Sequence, residues 1–242
     1  MNMKNSLTSK TIIITGAGSG IGQATAQVLA EAGATIIAVG KSKKHLDETQ
    51  TAIIASGGVC FSFIVNLENL EEIIKFSKTI KKRFSTIDWL INSAGYIEHE
   101  EKLKDFSAMF RVNTLAVIYL TRLLSPLLKE RGGVINISSI AGIWGSSDSP
   151  VYAVSKVALN FYSKVTAQNF TQVKSNLSCL TICPGRTNTP MRQKIAGDAK
   201  LYQDPEVIGR VIKKVITGKS QFKNGDMVIV KDGQAKLYEA ED

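Results

Sequence analysis

Seven short runs of apolar, largely β-branched residues recur along the chain, with helical patterns between them: Thr11–Thr15, Thr35–Val39, Val59–Val65, Ile87–Asn92, Val134–Ser138, Leu177–Cys183 and Met227–Val230. Each run is nearly all apolar and flanked by turn residues. That pattern belongs to strands buried on both faces of a parallel sheet. Helices are predicted near 20–32, 43–56, 68–84, 104–130, 151–170 and 205–217. Strict β/α alternation of this kind predicts a doubly wound α/β fold with helices on both faces of the sheet. No internal repeat, low-complexity segment or linker interrupts it, so residues 1–242 read as a single domain.

Composition narrows the function classes. At 242 residues and 44% apolar content, one domain of this size buries a sizeable core. No apolar run approaches the roughly 18 residues of a membrane span. Met1 to Lys10 lacks the apolar stretch of a signal peptide. The expectation is a soluble, cytoplasmic protein with no membrane partner. Cys60, Cys179 and Cys183 are too few and too scattered for a disulfide framework or a metal knuckle, and they read as small buried hydrophobes. His45 and His99 are too few for a metal site and read as surface. The net charge of +9 comes from 30 basic and 21 acidic residues spread along the chain. The densest clusters, Lys41-Ser42-Lys43-Lys44 and Lys81-Lys82-Arg83, lack the interleaved aromatics of a nucleic-acid surface, so no nucleic-acid partner is expected. The acidic end Glu239-Ala240-Glu241-Asp242 reads as frayed.

Between the first strand and the first helix lies Thr15-Gly16-Ala17-Gly18-Ser19-Gly20-Ile21-Gly22. Glycines there let the backbone approach a pyrophosphate, and the helix N-terminus adds free N–H groups and partial positive charge. Alone, such a turn is a weak signal; the strand before it and the helix after it strengthen it. The end of the second strand distinguishes the cofactors. A carboxylate there bonds the ribose 2′-hydroxyl of NAD, whereas a basic residue accommodates the 2′-phosphate of NADP. Here Ile36-Ile37-Ala38-Val39 runs into Gly40-Lys41-Ser42-Lys43-Lys44 without a carboxylate. Lys41 and Ser42 are the expected phosphate ligands, and NADP(H) is expected in preference to NAD(H). The bland reading of these lysines is a solvated helix start.

Tyr152 and Lys156 stand at i and i+4, on one face of a helix. An unperturbed tyrosine titrates near ~10, and a fall of ~3 units would represent ~4 kcal/mol of differential interaction. A neighbouring ammonium favours the phenolate, so the spacing predicts a lowered phenol pKa and proton exchange with an alcohol or carbonyl oxygen. Tyr-x-x-x-Lys is common by chance; its context is what counts. Gly133 to Ser139 reads as a strand ending in two serines, and Ser139 precedes Tyr152 by thirteen residues. Carboxyl ends of strands in such sheets face the ligand crevice.

Taken in order, these motifs resemble the short-chain dehydrogenase/reductase family, and specifically its 3-oxoacyl-acyl-carrier-protein reductase-like members. The resemblance runs from Thr11 to about Gly233. It rests on Thr15-Gly16-x-x-x-Gly20-x-Gly22, Asn92-Ser93-Ala94-Gly95, Asn113, Ser139, Tyr152-x-x-x-Lys156 and Pro184-Gly185-x-Thr187-x-Thr189. It implies a Rossmann-like fold with a seven-stranded parallel sheet in the order 3-2-1-4-5-6-7. It implies that Tyr152 is the general acid/base, that Lys156 lowers its pKa and bonds the nicotinamide ribose, and that Ser139 positions the substrate oxygen. Asn113 would hold a water of a proton relay. Gly16, Ser19, Gly20, Ile21 and Gly22 would cradle the pyrophosphate, and Asn66 and Leu67 would meet the adenine. Asn92, Ala94 and Gly95 would lie by the adenosine ribose. Pro184 and Gly185 would flank the nicotinamide, with Thr187 and Thr189 bonding its carboxamide or the phosphates. Tyr96, His99, Ala141, Trp144 and Met191 fall where the family places pocket walls, and Trp144 reads equally well as a surface-packing residue. Family members pair through two long helices, here near 104–130 and 151–170, so a homodimer or homotetramer is implied.

The chain departs from the family pattern in four places. Asn66 stands where Asp is usual, and Ser93 replaces the second Asn of Asn-Asn-Ala-Gly. Residues 190–203, the substrate lid, are short and basic, with Arg192 and Lys194 available to an anionic substrate or an acidic carrier protein, or simply facing solvent. Lys231 replaces an apolar residue of the last strand, which alters the expected tetramer interface. The reading is an NADP-dependent oxidoreductase that moves hydride between nicotinamide and a small-molecule carbonyl or secondary alcohol, with a 3-oxoacyl thioester as one substrate. The alternative is an NADP(H)-binding sensor or interaction protein without turnover. No metal is needed for this chemistry, and none is expected.

Overall fold

The computed structural model describes residues 6–98, 103–173, 175–196 and 202–239. His99, residues 197–201 of the lid and residues 240–242 of the acidic end lie outside the described residues. In chain order the strands are β1 (Thr11–Thr15), β2 (Thr35–Gly40), β3 (Val59–Ile64), β4 (Ile87–Asn92), β5 (Leu128–Ile137), β6 (Ser178–Pro184), β7 (Met227–Lys231) and β8 (Gln234–Leu237). The helices are α1 (Gly20–Glu31), α2 (Lys43–Ala55), α3 (Leu70–Arg83), α4 (Leu103–Phe110), α5 (Ala116–Leu124), α6 (Ala141–Trp144), α7 (Pro150–Gln172), α8 (Pro190–Ala196) and α9 (Pro205–Ile216).

The strands form one sheet in the order β3-β2-β1-β4-β5-β6-β7-β8. Side chains alternate across it. Ile12 and Ile14 pack on one side with Leu29, Ile208 and Ile212. Ile13 points to the other side, with Ile73, Ile80 and Leu120. Both faces are therefore buried, as the continuous apolar runs predict. Helix ends carry their own signals. Asn69 caps α3 by accepting from Glu71 and Glu72 N–H. Acidic Glu71 and Glu72 open that helix and Lys81, Lys82 and Arg83 close it, in line with its dipole. Among the described residues no helix is long and apolar enough to cross a membrane.

Three expectations need correction. The sheet has eight strands rather than seven, and the eighth is antiparallel to β7. The hairpin turn is Asp232-Gly233, both at positive φ (51° and 78°). Such a turn matches the twist of two antiparallel strands. The helix expected over 104–130 is instead α4, a π turn at Arg111–Leu115, α5 and a 3-10 turn at Ser125–Leu127. Pro126 in that last turn cannot continue an α-helix. β5 then starts at Leu128, six residues before the apolar run at Val134, because ladder pairing to Ile87 carries the polar segment into the sheet.

Candidate active site

The order 2-1-4 reverses direction at β1, so the loops after β1 and β4 part and open a crevice at the carboxyl edge. That crevice is a cleft of about 360 Å³. Gly16, Ser19, Gly20, Ile21 and Gly22 form its floor at the start of α1, Lys41 and Ser42 stand at the end of β2, and Asn66 and Leu67 follow β3. Ala94 and Gly95 follow β4, and Tyr152, Lys156 and Thr189 complete the wall.

The glycines are there for close approach. A Cβ on Gly22 would sit 2.3 Å from the Gly16 carbonyl oxygen, and one on Gly16, at φ +67°, would sit 2.8 Å from Ala94 Cα. No side chain fits between this turn, the start of α1 and the β4 loop, so these segments pack backbone against backbone along the cleft floor. Thr15 Oγ1 accepts from Ser93 and Ala94 N–H at 3.0 Å each, which ties the two loops together. Ser19 begins α1 without a side-chain cap bond. Its hydroxyl and the first N–H groups of α1 are therefore suited to an anionic ligand. Ser42 caps α2 by accepting from His45 N–H and keeps its hydroxyl proton for another acceptor. Asn66 Oδ1 accepts from Glu68 N–H at 3.1 Å, a local turn that fixes the side chain at the cleft wall.

The reactive end is built from β5 and α7. The Ser139 hydroxyl stands beside the Tyr152 phenol and favours its ionised form. Ser139 Oγ also accepts from Ala141 N–H at 3.1 Å, which fixes its orientation. Lys156 Nζ donates to the Ile137 carbonyl oxygen at 2.9 Å and lies 5.8 Å from the centre of the Tyr152 ring. Gly95 brings further groups together: a Cβ there would lie 3.6 Å from Asn113 Oδ1, 3.7 Å from Met191 Cε and 3.9 Å from Lys156 Nζ. Asn113 is fully buried. Its Oδ1 accepts from Tyr96 N–H, and its Nδ2 donates to the Tyr96 carbonyl and to Ser155 Oγ. The side-chain amide of Asn113 is thus a bracket for the β4 loop, and the π turn around it shifts the helical carbonyl ladder by one residue.

Electrostatics modify the expectation from spacing. Burial pushes the Tyr152 phenol above its ordinary value, against the lowering effects of the Ser139 hydrogen bond and the Arg192 charge. Burial also lowers Lys156 to about 8, with a smaller opposing contribution from Cys183. At the phenol, desolvation outweighs the Ser139 and Arg192 contributions that favour ionisation. The Cys183 thiol, beside Ser138 and Lys156, is pushed up to about 12 by burial and stays protonated. All three cysteines are free and buried.

Several residues singled out from sequence lie away from the cleft wall. Asn92 is buried behind it and donates to Asn136 Oδ1 at 2.8 Å. Thr187 is buried, donates to the Gly185 carbonyl at 2.9 Å and accepts from Gln203, so it braces the turn after β6 with Pro184 and Gly185. Ala141 follows Ser139 in α6. Trp144 is 62% exposed and faces a separate depression beside Ile229, Lys231 and Leu237 of the β7–β8 hairpin. Conversely, His45, Leu46, Val65, Glu68, Val112, Ile137 and Ser138 line the cleft without having been singled out as ligands. The signal for the strand-following residues among them is their place one or two positions after a strand; for the helical ones no sequence signal was available.

A family model described as short chain dehydrogenase matches residues 10–200. The chain is 28% identical over 243 aligned positions to 3-oxoacyl-acyl-carrier-protein reductase FabG of Thermotoga maritima, spanning 94% of this chain and 98% of that protein. It is 34% identical over 197 positions to the uncharacterized oxidoreductase YxbG of Bacillus subtilis, spanning 79% and 71% of the two chains. Among solved structures, a short chain dehydrogenase of Shigella flexneri complexed with NADP superposes with a TM-score of 0.85 at 26% identity, covering 93% of this chain and 98% of that one.

Proposed function

This chain belongs to the short chain dehydrogenase family, and from that premise we propose that it reduces a carbonyl compound, or oxidises the matching secondary alcohol, with NADP(H). One observation carries the reading: Tyr152 and Lys156 line the same cleft that the glycine cradle opens, with Ser139 beside the phenol. The cradle presents the Ser19 hydroxyl and the first N–H groups of α1 to the cleft, and the Shigella relative holds NADP. Lys41 and Ser42 would hold the 2′-phosphate, Ser19 and the α1 N-terminus the pyrophosphate, and Lys156 the nicotinamide ribose. When bound, the nicotinamide supplies or accepts the hydride.

The rest of the work falls to the chain. Ser139 holds the substrate oxygen, and Tyr152 gives it a proton as negative charge develops there. Burial raises the phenol's pKa, so at neutral pH Tyr152 holds the proton that reduction consumes. Lys156 places positive charge behind the phenol, and the Asn113 bracket keeps the β4 loop against it. Thr189, just before the lid, and Met191 within it line the cofactor side of the cleft.

Two finer readings belong here. Val154, Val157, Phe161 and Val165 are exposed along one face of α7. A stripe of this size on a helix supports pairing with a second copy, as a homodimer or within a homotetramer. The likeness to FabG makes an oxoacyl thioester on an acidic carrier one member of the substrate panel. The test is cofactor binding followed by turnover. NADPH is expected to quench protein fluorescence at lower concentration than NADH, and Tyr152→Phe to keep that binding while losing at least about 100-fold in turnover. Failure to bind either nucleotide would overturn the cofactor reading. Unchanged turnover in Tyr152→Phe would overturn the acid/base assignment.

A further inference from the structure

The lid helix α8 starts on the cleft wall with Pro190 and Met191. The next residue, Arg192, turns its guanidinium to lie 5.6 Å from the centre of the Tyr202 ring. Arg186, from the turn after β6, lies 5.8 Å from the same ring. Two guanidinium groups thus share one aromatic side chain, and neither has an ion pair among the described residues. Arg192 Nε is enclosed and has no hydrogen-bond partner among the described residues. A charged donor buried without an acceptor is costly, and an acceptor brought by a ligand would remove that cost. Lys194, two residues on, is already engaged: its ammonium is 3.8 Å from Glu98 and largely exposed. The Arg192 charge is felt at the Tyr152 phenol, where it favours the ionised form, so the guanidinium sits toward the reacting end.

We infer that Arg192 recognises a negatively charged oxygen group on the substrate, and that the carbonyl compound handled at Tyr152 carries a carboxylate or a phosphate near its carbonyl. The inference rests on the carbonyl-reductase reading of this site. Arginine suits the task because its planar fork matches two oxygens of either group. Stacking on Tyr202 holds the fork in place before the ligand arrives. Arg186 adds a second positive charge at the same ring, which raises the local preference for an anion. The cofactor wall is made by Thr189, Pro190 and Met191, so Arg192 is free of that duty.

The test compares matched pairs on the NADP-loaded full chain: acetoacetate against methyl acetoacetate, and dihydroxyacetone phosphate against dihydroxyacetone. Binding is read by fluorescence and turnover by NADPH oxidation. In at least one pair the anionic member is expected to bind about tenfold more tightly, and which pair leads separates carboxylate from phosphate. In Arg192→Gln that advantage is expected to vanish with the NADPH dissociation constant unchanged. Arg192→Lys, which keeps the charge and loses the fork, should retain part of it. Equal binding of charged and neutral members by the unaltered protein overturns the inference, whether or not turnover is seen. So does a matching loss of NADPH affinity in Arg192→Gln, which would assign the arginine to the cofactor. Failure of the underlying reading looks different: NADPH is not consumed with any member of the panel, and Tyr152→Phe changes nothing.

Discussion

Lys156 Nζ donates to the carbonyl oxygen of Ile137 at 2.9 Å, so the amine of α7 is tied to the end of β5 rather than to its helical neighbour Tyr152. Burial brings that amine to about 8, while the phenol is raised above its ordinary value. Lys156 therefore loses its charge as pH rises through about 8, a region in which Tyr152, raised above its ordinary value, keeps its proton. The reduction kcat/KM should be level below that value and fall by up to about tenfold per pH unit above it. Lys156→Met should remove the limb along with most of the activity. A limb set instead well above 10 would assign the titration to Tyr152.

Replacing Lys41 by Asp should reverse the cofactor preference. The lysine stands at the end of β2 on the cleft wall beside Ser42. A carboxylate there repels a 2′-phosphate and accepts from a 2′-hydroxyl. NADPH affinity should fall at least about tenfold, with NADH held or improved. An unchanged ratio of the two dissociation constants would remove Lys41 from the site.

Asp88 tests the fold apart from the site. Its carboxylate is 2% exposed, accepts from Lys10 Nζ at 2.8 Å and from Thr11 N–H at 2.8 Å, and pins β1 at the sheet edge opposite the cleft. Asp88→Ala leaves the Thr11 N–H unmatched and should cost about 1–3 kcal/mol in urea unfolding. NADPH binding by the folded protein should not change. A loss of affinity would mean that β1 transmits strain along its length to the cradle.

Gly142 carries the contact between α6 and α7. A Cβ there would lie 2.9 Å from both the carbonyl carbon and the Cβ of Lys156, and 3.0 Å from Asn160 Nδ2. Backbone cannot step aside as a flexible side chain can. Gly142→Ala should destabilise the protein by about 1–3 kcal/mol and displace Lys156. The measurement is paired: an unfolding curve, and kcat at saturating NADPH. Loss of stability without loss of kcat would show that α7 moves as a rigid body with its active groups.

The cradle and the buried strands were legible because each is written in one short segment. Gly16, Gly20 and Gly22 sit within one turn, and runs such as Ile12 to Ile14 leave little alternative to a strand covered on both faces. β8 was missed because Gln-Ala-Lys-Leu has no apolar periodicity, and only Asp232-Gly233 signals the hairpin. The break of the long helix at Arg111–Leu115 depends on one extra residue per turn, which composition does not encode. At the site, Tyr152 and Lys156 were legible as neighbours, but not the sign of the phenol shift. That sign is set by burial, which the tertiary packing around α7 decides and the local spacing does not encode. Trp144, legible from sequence only as a pocket wall or a surface-packing residue, faces a different depression beside the hairpin that sequence patterning did not reveal.

The added hairpin strand has a consequence for behaviour in concentrated solution. β7 has Val228 and Val230 fully buried, and without a neighbour on its outer side it would offer a row of open backbone groups beside apolar side chains. Such an edge recruits strands from other molecules. β8 covers it with four residues, and its own outward edge is short and carries Lys236. Protection against edge-to-edge aggregation is thus assigned to a segment that lies outside the lining of the cleft.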